Sequence, residues 1–279
     1  LSALKIGIQG IAGSFHEMAA LQYFQNQEIE IVPFESFRKE FKALETYQCD
    51  QFLMAIENTL AGSILPNYAL LEGSDFQIVG ETFLGVRHCL MALPGQQIMD
   101  MEAVWSHPMA LLQCDEFLAD YPNLIPVEKK DTASAAKEIS VKKVPKTAAI
   151  GPKGAAERYG LAIYASDIQT HKLNFTRFLI IAREPASYLG ANKATVVMQL
   201  ADKPGSLFHV LEIFNRFEIN LTKIQSIPII GKPYSYSFHF DMEWQENTDW
   251  KMAMAEAGER LISMKILGIY KKGNRSDIS

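Results

Sequence analysis

Uncharged polar side chains recur over the first two thirds of this 279-residue chain at one kind of place, the end of an apolar run or the start of a helical one: Ser14, Asn58, Thr59, Ser63, Ser106, Gln113, Thr132, Ser134 and Thr176. None is a strong acid or base near neutrality. What such groups can do is donate hydrogen bonds to an anion, and free backbone N–H groups at helix starts add partial positive charge in the same places. In an open α/β sheet the carboxyl ends of the strands and the helix N-termini share one crevice. The set therefore predicts a polar crevice for a small carboxylate-bearing ligand, held with few cationic side chains. Taken singly, each residue serves equally well as a helix cap or a turn former.

The elements that would carry these groups alternate. Leu4–Gln9 reads as a buried strand, Gly10 and Gly13 turn the chain, and Ser14 opens a helix with Glu17 in capping-box spacing. Strands are expected at 29–34 and 52–56, the second ending on Glu57-Asn58-Thr59, with a helix at 36–47 between them. That order signals a parallel sheet. The apolar runs 76–82 and 86–93 read as crossovers into a second α/β unit with strands at 104–106, 125–127 and 147–150. Its helices are expected at 108–120, from Asp131, and at 155–159, and Pro108 suits a first helical position. The run 176–182 reads as a further buried strand. Residues 184–193, with Pro185, Gly190 and Asn192, form the best linker. Beyond it, strands at 194–200, 219–227, 234–242 and 261–267 and helices at 204–217 and 249–259 give a βαββαβ order, the ferredoxin-like unit. The tail 271–279 reads as basic, polar and frayed.

Composition narrows the function classes. With 48% apolar residues and a net charge of -5, the chain can fill one large core or two modest ones and lacks the basic patch of a nucleic-acid binder. No apolar run reaches the roughly 20 residues of a membrane span. Cys49, Cys89 and Cys114 form neither a CxxC pair nor an even framework, which points to a reducing, cytoplasmic setting. Familiar site motifs fail. Gly10 and Gly13 lack the glycine at position 8 that a dinucleotide fingerprint needs, 151–154 lacks the spacing of a P-loop, and Ala20 stands where a second zinc histidine would follow His16-Glu17. No G-x-S-x-G is present. The sequence thus announces neither a metal nor a cofactor.

Six ordered runs carry a resemblance that covers nearly the whole chain. Gly10–His16, Ala55–Ser63, Ser106-His107-Pro108 with Gln113-Cys114, Asp131–Ala136, the block from Ala148 through Leu161, and Asn174-Phe175-Thr176-Arg177-Phe178 resemble, in order, the signature elements of the prephenate dehydratase family. The resemblance implies a catalytic region at 1–183 of two α/β lobes like those of type 2 periplasmic binding proteins, with the site in the cleft between them. Lobe 1 would hold about 1–80 plus the strand 175–183, and lobe 2 about 81–174. It also implies the conversion of prephenate to phenylpyruvate with loss of carbon dioxide and water. That chemistry needs no cofactor, because electrons from the ring carboxylate expel the hydroxyl across the ring; the hard part is the departure of hydroxide.

By the same resemblance Thr176 is the donor to the leaving oxygen, and Asn58, Gln113, Ser106 and His88 support catalysis. Thr59, Thr132, Arg177, Phe178 and Ser14 are expected around the substrate. For several of these the residues themselves leave two readings open. His88 is either a site group or a satisfied core histidine, Arg177 either meets a carboxylate or holds its strand by an ion pair, and Phe178 is wall. Glu57 would repel a dianion and is expected to orient other groups.

The C-terminal part, 194–273, resembles an ACT domain, with Gly205-Ser206-Leu207-Phe208 and Gln225-Ser226-Ile227-Pro228 at its effector elements; the second departs from the family's E-S-R-P in its first and third residues. L-phenylalanine as effector and a homo-oligomer, dimer or tetramer, are implied. Arogenate dehydration, a decarboxylation without aromatisation, and a non-catalytic small-acid binding protein are the alternatives.

Overall fold

The first apolar run folds as strand β1 (Leu4–Gln9), and Gly10 and Gly13, at φ +104° and +85°, turn the chain into helix α1 (Phe15–Tyr23). Ser14 caps α1 by accepting from Glu17 N at 3.3 Å, whereas the Glu17 carboxylate accepts from Gly13 N, one residue short of the partner a capping box would use. Strand β2 (Ile29–Phe34), helix α2 (Phe37–Glu45) and strand β3 (Gln51–Asn58) follow, and β1 pairs in parallel with β2 and β3. Next come a two-residue strand β4 (Gly62–Ser63), helix α3 (Leu65–Glu72) and β5 (Gln77–Gly85).

The following segment builds a second sheet from β6 (Cys89–Ala92), β7 (Ala103–Ser106), β8 (Ile125–Glu128), β9 (Thr147–Gly151) and β10 (Ala162–Ala165). Its helices are α4 (Pro108–Leu112), α5 (Asp115–Asp120), α6 (Thr132–Lys142) and α7 (Lys153–Tyr159). The single helix expected at 108–120 is therefore two. The Gln113 carbonyl, which a continuous helix would offer four residues on, accepts instead from Thr170 N at 2.8 Å. Strand β11 (Phe175–Ala182) then returns to the first sheet, whose order is β2-β1-β3-β11-β5 with β4 on β3; the second runs β10-β6-β9-β7-β8. Both faces of the second sheet are covered, Leu90, Val104 and Ile150 on one side and Met91, Ala133 and Ala149 on the other.

The rest of the chain forms β12 (Lys193–Gln199), α8 (Ser206–Arg216), β13 (Asn220–Pro228), β14 (Tyr236–Glu243), α9 (Trp250–Gly258) and β15 (Ser263–Tyr270). All neighbours in the sheet β13-β14-β12-β15 are antiparallel, the topology of the expected βαββαβ unit. Its core gathers Val196, Met198, Val210, Phe214, Phe240 and Met254. Lys193 opens β12 rather than closing the linker, because its ammonium is buried between Glu81 at 3.0 Å and Glu243 at 3.1 Å. His239 Nε2 lies 3.0 Å from Glu72 Oε2, and Lys265 Nζ donates to the Glu72 carbonyl at the end of α3.

This computed structural model describes residues 3–185, 187–229, 231 and 235–274. Tyr234, expected to begin a strand, and the tail beyond Asn274 lie outside the described residues. The chain divides into two compact units: one holds the chain up to Ile64 with Thr82–Phe178, the other Leu65–Glu81 with Leu179–Asn274.

Candidate active site

A cavity of about 310 Å³ in the first unit is lined from both of its sheets. From the first come Gln9, Gly10, Ser14, Phe15, His16, Ala55, Asn58, Thr176 and Phe178; from the second, His88, His107, Met109, Gln113, Asp131 and Thr132. Strand alternation explains part of this list. Thr176 and Phe178 lie two residues apart on β11 and share a face, which leaves Arg177 on the other. Arg177 is buried there with Nη1 3.9 Å from the Glu57 carboxylate, and it is absent from the cavity wall. Helix starts explain another part: α1, α4 and α6 are N-capped by Ser14, His107 and Asp131, and each presents its first turn to the cavity. No lysine or arginine lines it.

Five polar residues are joined in a relay whose polarity can be worked out from one end. Asn58 Oδ1 accepts from Leu60 N at 3.0 Å and Ala61 N at 2.9 Å, which fixes its amide orientation. Its Nδ2 must then be the donor toward Asn174 Oδ1 at 2.7 Å, the Phe175 carbonyl at 3.1 Å and Thr176 Oγ1 at 3.1 Å. Asn174 Nδ2 in turn donates to Gln113 Oε1 at 3.1 Å. The same Gln113 oxygen faces His88 Nε2 at 3.1 Å, so the proton of a neutral His88 sits on Nε2. Burial pushes the His88 imidazole below its ordinary range and the bond to Gln113 offsets part of that, so the neutral form is the one present near pH 7. For Thr176 the outcome is specific: its oxygen accepts from Asn58, and its own O–H proton remains to be donated.

Of the ten residues expected at the site, Thr176, Asn58, Gln113, His88, Thr132, Phe178 and Ser14 line the cavity, whereas Ser106, Thr59 and Arg177 do not. Ser106 is wholly buried and donates to the Ile150 carbonyl at 2.6 Å, a tie from β7 to β9. Thr59 Oγ1 accepts from Phe175 N at 3.0 Å and donates to the Leu173 carbonyl, so it zips the start of β11 onto the end of β3. Both are fastened to backbone next to the cavity, which is a supporting position and not a contact surface. Asn174, the buried middle of the relay, was absent from the expected set although it stands two residues before Thr176 in the same run. His16, which the sequence offers only as half of a failed zinc motif, packs its ring between Phe37 and Phe178; burial lowers its pKa to about 4, and its Nε2 has no hydrogen-bond partner among the described residues. No group of three or more acidic, histidine or cysteine side chains suited to a metal ion occurs among the described residues, and no helix there is long and apolar enough to cross a membrane.

In the second unit a hollow of about 160 Å³ is lined by Lys203, Ser206, Leu207, Tyr236 and Phe238 among others. Ser206 and Leu207 of the expected effector residues reach it. Gly205 caps α8 at φ +85°, Phe208 points out 63% exposed, and Gln225, Ser226, Ile227 and Pro228 end β13 beside it without lining it, Ser226 and Pro228 pairing in register with Phe238 and Tyr236 of its wall.

The chain is similar to several known proteins. A protein named arogenate dehydratase/prephenate dehydratase 2, chloroplastic, from Arabidopsis thaliana is 41% identical over 96% of this chain and 73% of its own length. A solved prephenate dehydratase from Arthrobacter aurescens, in complex with L-Phe, superposes with a TM-score of 0.86 at 26% identity, covering 99% of this chain and 91% of its own. A structure described as GqqA, a novel type of quorum quenching acylase, gives the same TM-score at 28% identity over 96% of this chain and 98% of its own. A family model described as prephenate dehydratase matches residues 6–186, and with that match over most of the two-sheet region the chain belongs to the prephenate dehydratase family.

Proposed function

We propose that the chain converts prephenate to phenylpyruvate, carbon dioxide and water, with Thr176 as hydrogen-bond donor to the departing hydroxyl. The observation that carries this reading is the Asn58–Thr176 bond: an amide fixed by two backbone N–H groups donates to Thr176 Oγ1 and leaves the hydroxyl proton to face a cavity without cations. A threonine hydroxyl does not give up its proton near neutrality. It acts instead as a preorganised donor that strengthens as negative charge grows on the leaving oxygen, a contribution of about 100- to 1,000-fold. Accepting a hydrogen bond from Asn58 polarises the O–H further. The substrate's side-chain carboxylate is met by the first turn of α6 at Thr132, where backbone N–H groups and the helix dipole supply the positive potential, and Ser14 adds a hydroxyl donor. Asn174, Gln113 and His88 act through Asn58 as positioning residues.

Arogenate is the second reading, favoured by the double activity in the name of the Arabidopsis relative. The two differ in a keto group against an ammonium on the side chain, far from the leaving hydroxyl, so the donor chemistry serves both. Incubating the purified chain with each substrate and identifying products by NMR tests the proposal. Phenylpyruvate from prephenate supports it, phenylalanine from arogenate alone shifts it to the second reading, and no turnover of either refutes both.

We further infer that the βαββαβ unit is an ACT domain answering to L-phenylalanine in a dimer or tetramer, supported by its topology and by the Arthrobacter structure's being a complex with L-Phe. Titration with L-phenylalanine, following activity and melting temperature, tests it; no response in either would leave the domain a structural role. Cys49, Cys89 and Cys114, buried thiols outside any disulfide, support a cytoplasmic setting.

A further inference from the structure

His16 lines the cavity and takes no part in the donor relay. It stands on the first turn of α1, with its ring edge-on to Phe178 at 5.0 Å between centroids and tilted against Phe37 at 5.6 Å. Phe178 is one strand repeat from Thr176, roughly 7 Å at 3.3 to 3.4 Å per residue. A substrate whose leaving oxygen rests on Thr176 and whose six-membered ring lies along β11 brings its opposite ring carbon, the one bearing the carboxylate, toward Phe178 and His16.

This inference rests on the dehydratase reading above. We propose that His16, with Phe178, forms an uncharged seat for the ring carboxylate, so that the group about to leave as carbon dioxide is held by shape and not by an ion pair. In the reaction the bond from ring carbon to carboxylate breaks and its electron pair enters the ring. The carbon–oxygen bond at the far end breaks, and the departing hydroxide takes one proton to become water. The dianion plus one proton thus gives phenylpyruvate, carbon dioxide and water, with no oxidant or reductant. Charge leaves the carboxylate along this path. A cation at the seat would stabilise the ground state more than the transition state and slow the step. The surroundings keep the seat uncharged. Burial holds His16 neutral, its pKa at about 4, and both oxygens of Asp131, the cavity's carboxylate, are engaged by Ser134. The nearby cation Arg177 lies on the opposite face of β11 beside Glu57.

The test compares His16→Lys with His16→Gln, both assayed for kcat and KM on prephenate and on arogenate. The lysine variant is expected to bind substrate no more weakly than the glutamine variant yet to turn over at least tenfold more slowly, a split that lost packing alone would not produce. Equal or higher kcat in His16→Lys overturns the proposal. Should that variant fail to fold, Thr176→Ala loaded with prephenate decides the matter by ¹⁵N NMR of the His16 imidazole. A ring that stays neutral between about pH 6 and pH 8 upholds the uncharged seat, and one that becomes protonated on loading overturns it. If the wild type consumes neither substrate, the dehydratase reading fails and this inference falls with it. An active wild type with the wrong split removes this inference alone.

Discussion

Replacing Asn58 by aspartate keeps the shape of the side chain and reverses one end of the relay. The oxygen that accepts from Leu60 N and Ala61 N keeps its role, but the other now presents an acceptor to Asn174 Oδ1, 2.7 Å away, and to Thr176 Oγ1, 3.1 Å away. Two acceptors at 2.7 Å cannot coexist, so Asn174 turns its Nδ2 toward residue 58, Gln113 turns its amide nitrogen toward Asn174, and His88 moves its proton to Nδ1. Thr176 then donates to the new carboxylate instead of to the cavity. Loss of a preorganised donor corresponds to about 100- to 1,000-fold in kcat, or about 2.7 to 4 kcal/mol. Burial raises the pKa of the new carboxyl group. Below that pKa its O–H donates as the amide did, so turnover of the variant should rise as pH falls from about 8.5 to 6, opposite to a simple loss of ionised groups. Saturating kcat across that range, with ¹⁵N NMR of His88, checks both halves. Turnover near wild type at the alkaline end, with the His88 proton still on Nε2, would refute the polarity derived for the relay.

Thr176→Ala should lower kcat at least 100-fold with little change in KM, and Thr176→Ser should recover much of it, read by steady-state assay. Ser106→Ala leaves the buried Ile150 carbonyl without its donor; it should lower stability by about 1 to 3 kcal/mol in urea unfolding and reduce kcat far less than Thr176→Ala. Lys193→Met takes the buried cation from between Glu81 and Glu243, a loss of about 3 to 5 kcal/mol by the same measurement, and adding Glu81→Gln should restore part of it. Acid should weaken the fold through its histidines. His16, His88 and His239 all have folded pKa values lowered by burial, so the unfolded chain binds more protons as pH falls below about 6.5. Stability is complete above that value and declines as pH falls toward the folded values, about 4 for His16, with up to about 1.4 kcal/mol per pH unit for each group. Urea midpoints at descending pH should show the decline, and His16→Gln should make it shallower.

Much of this molecule was legible before its coordinates because its strands are apolar runs and its turns carry glycine and proline. β1, β2, β7, β9 and the four strands of the βαββαβ unit fall within a few residues of where the pattern puts them. Helix α3 escaped because Leu65–Glu72 is apolar around most of its circumference and shows no stripe of 3.6-residue period. β10 escaped as a four-residue strand, half-buried throughout. At the site, residue type was a good guide to Thr176 and Asn58, since both end or begin strands. It was a poor guide to Arg177, where alternation along β11 outweighs the charge and turns the guanidinium from the cavity. Asn174 stood in the signature run 174–178 without a role for a different reason: its importance is relational, lying in two side-chain hydrogen bonds to residues about 60 and 116 positions away.

The chain passes between its two compact units at Ile64/Leu65, Glu81/Thr82 and Phe178/Leu179, so no single cut releases either one. A fragment ended after β11 would keep Leu65–Glu81 but take away Lys193 from Glu81, His239 and Ser237 from Glu72, and Gly268 from Ile78, whose carbonyl oxygen would stand 2.2 Å from a Cβ at that glycine. Tyr68 and Leu71, buried in the whole chain, would be left for chaperones or for aggregation. Chimeras that exchange the C-terminal part between relatives should therefore carry residues 65–81 with it. What can be transplanted here is set by packing, and three junctions in the gene are needed where a linear map of domains would draw one.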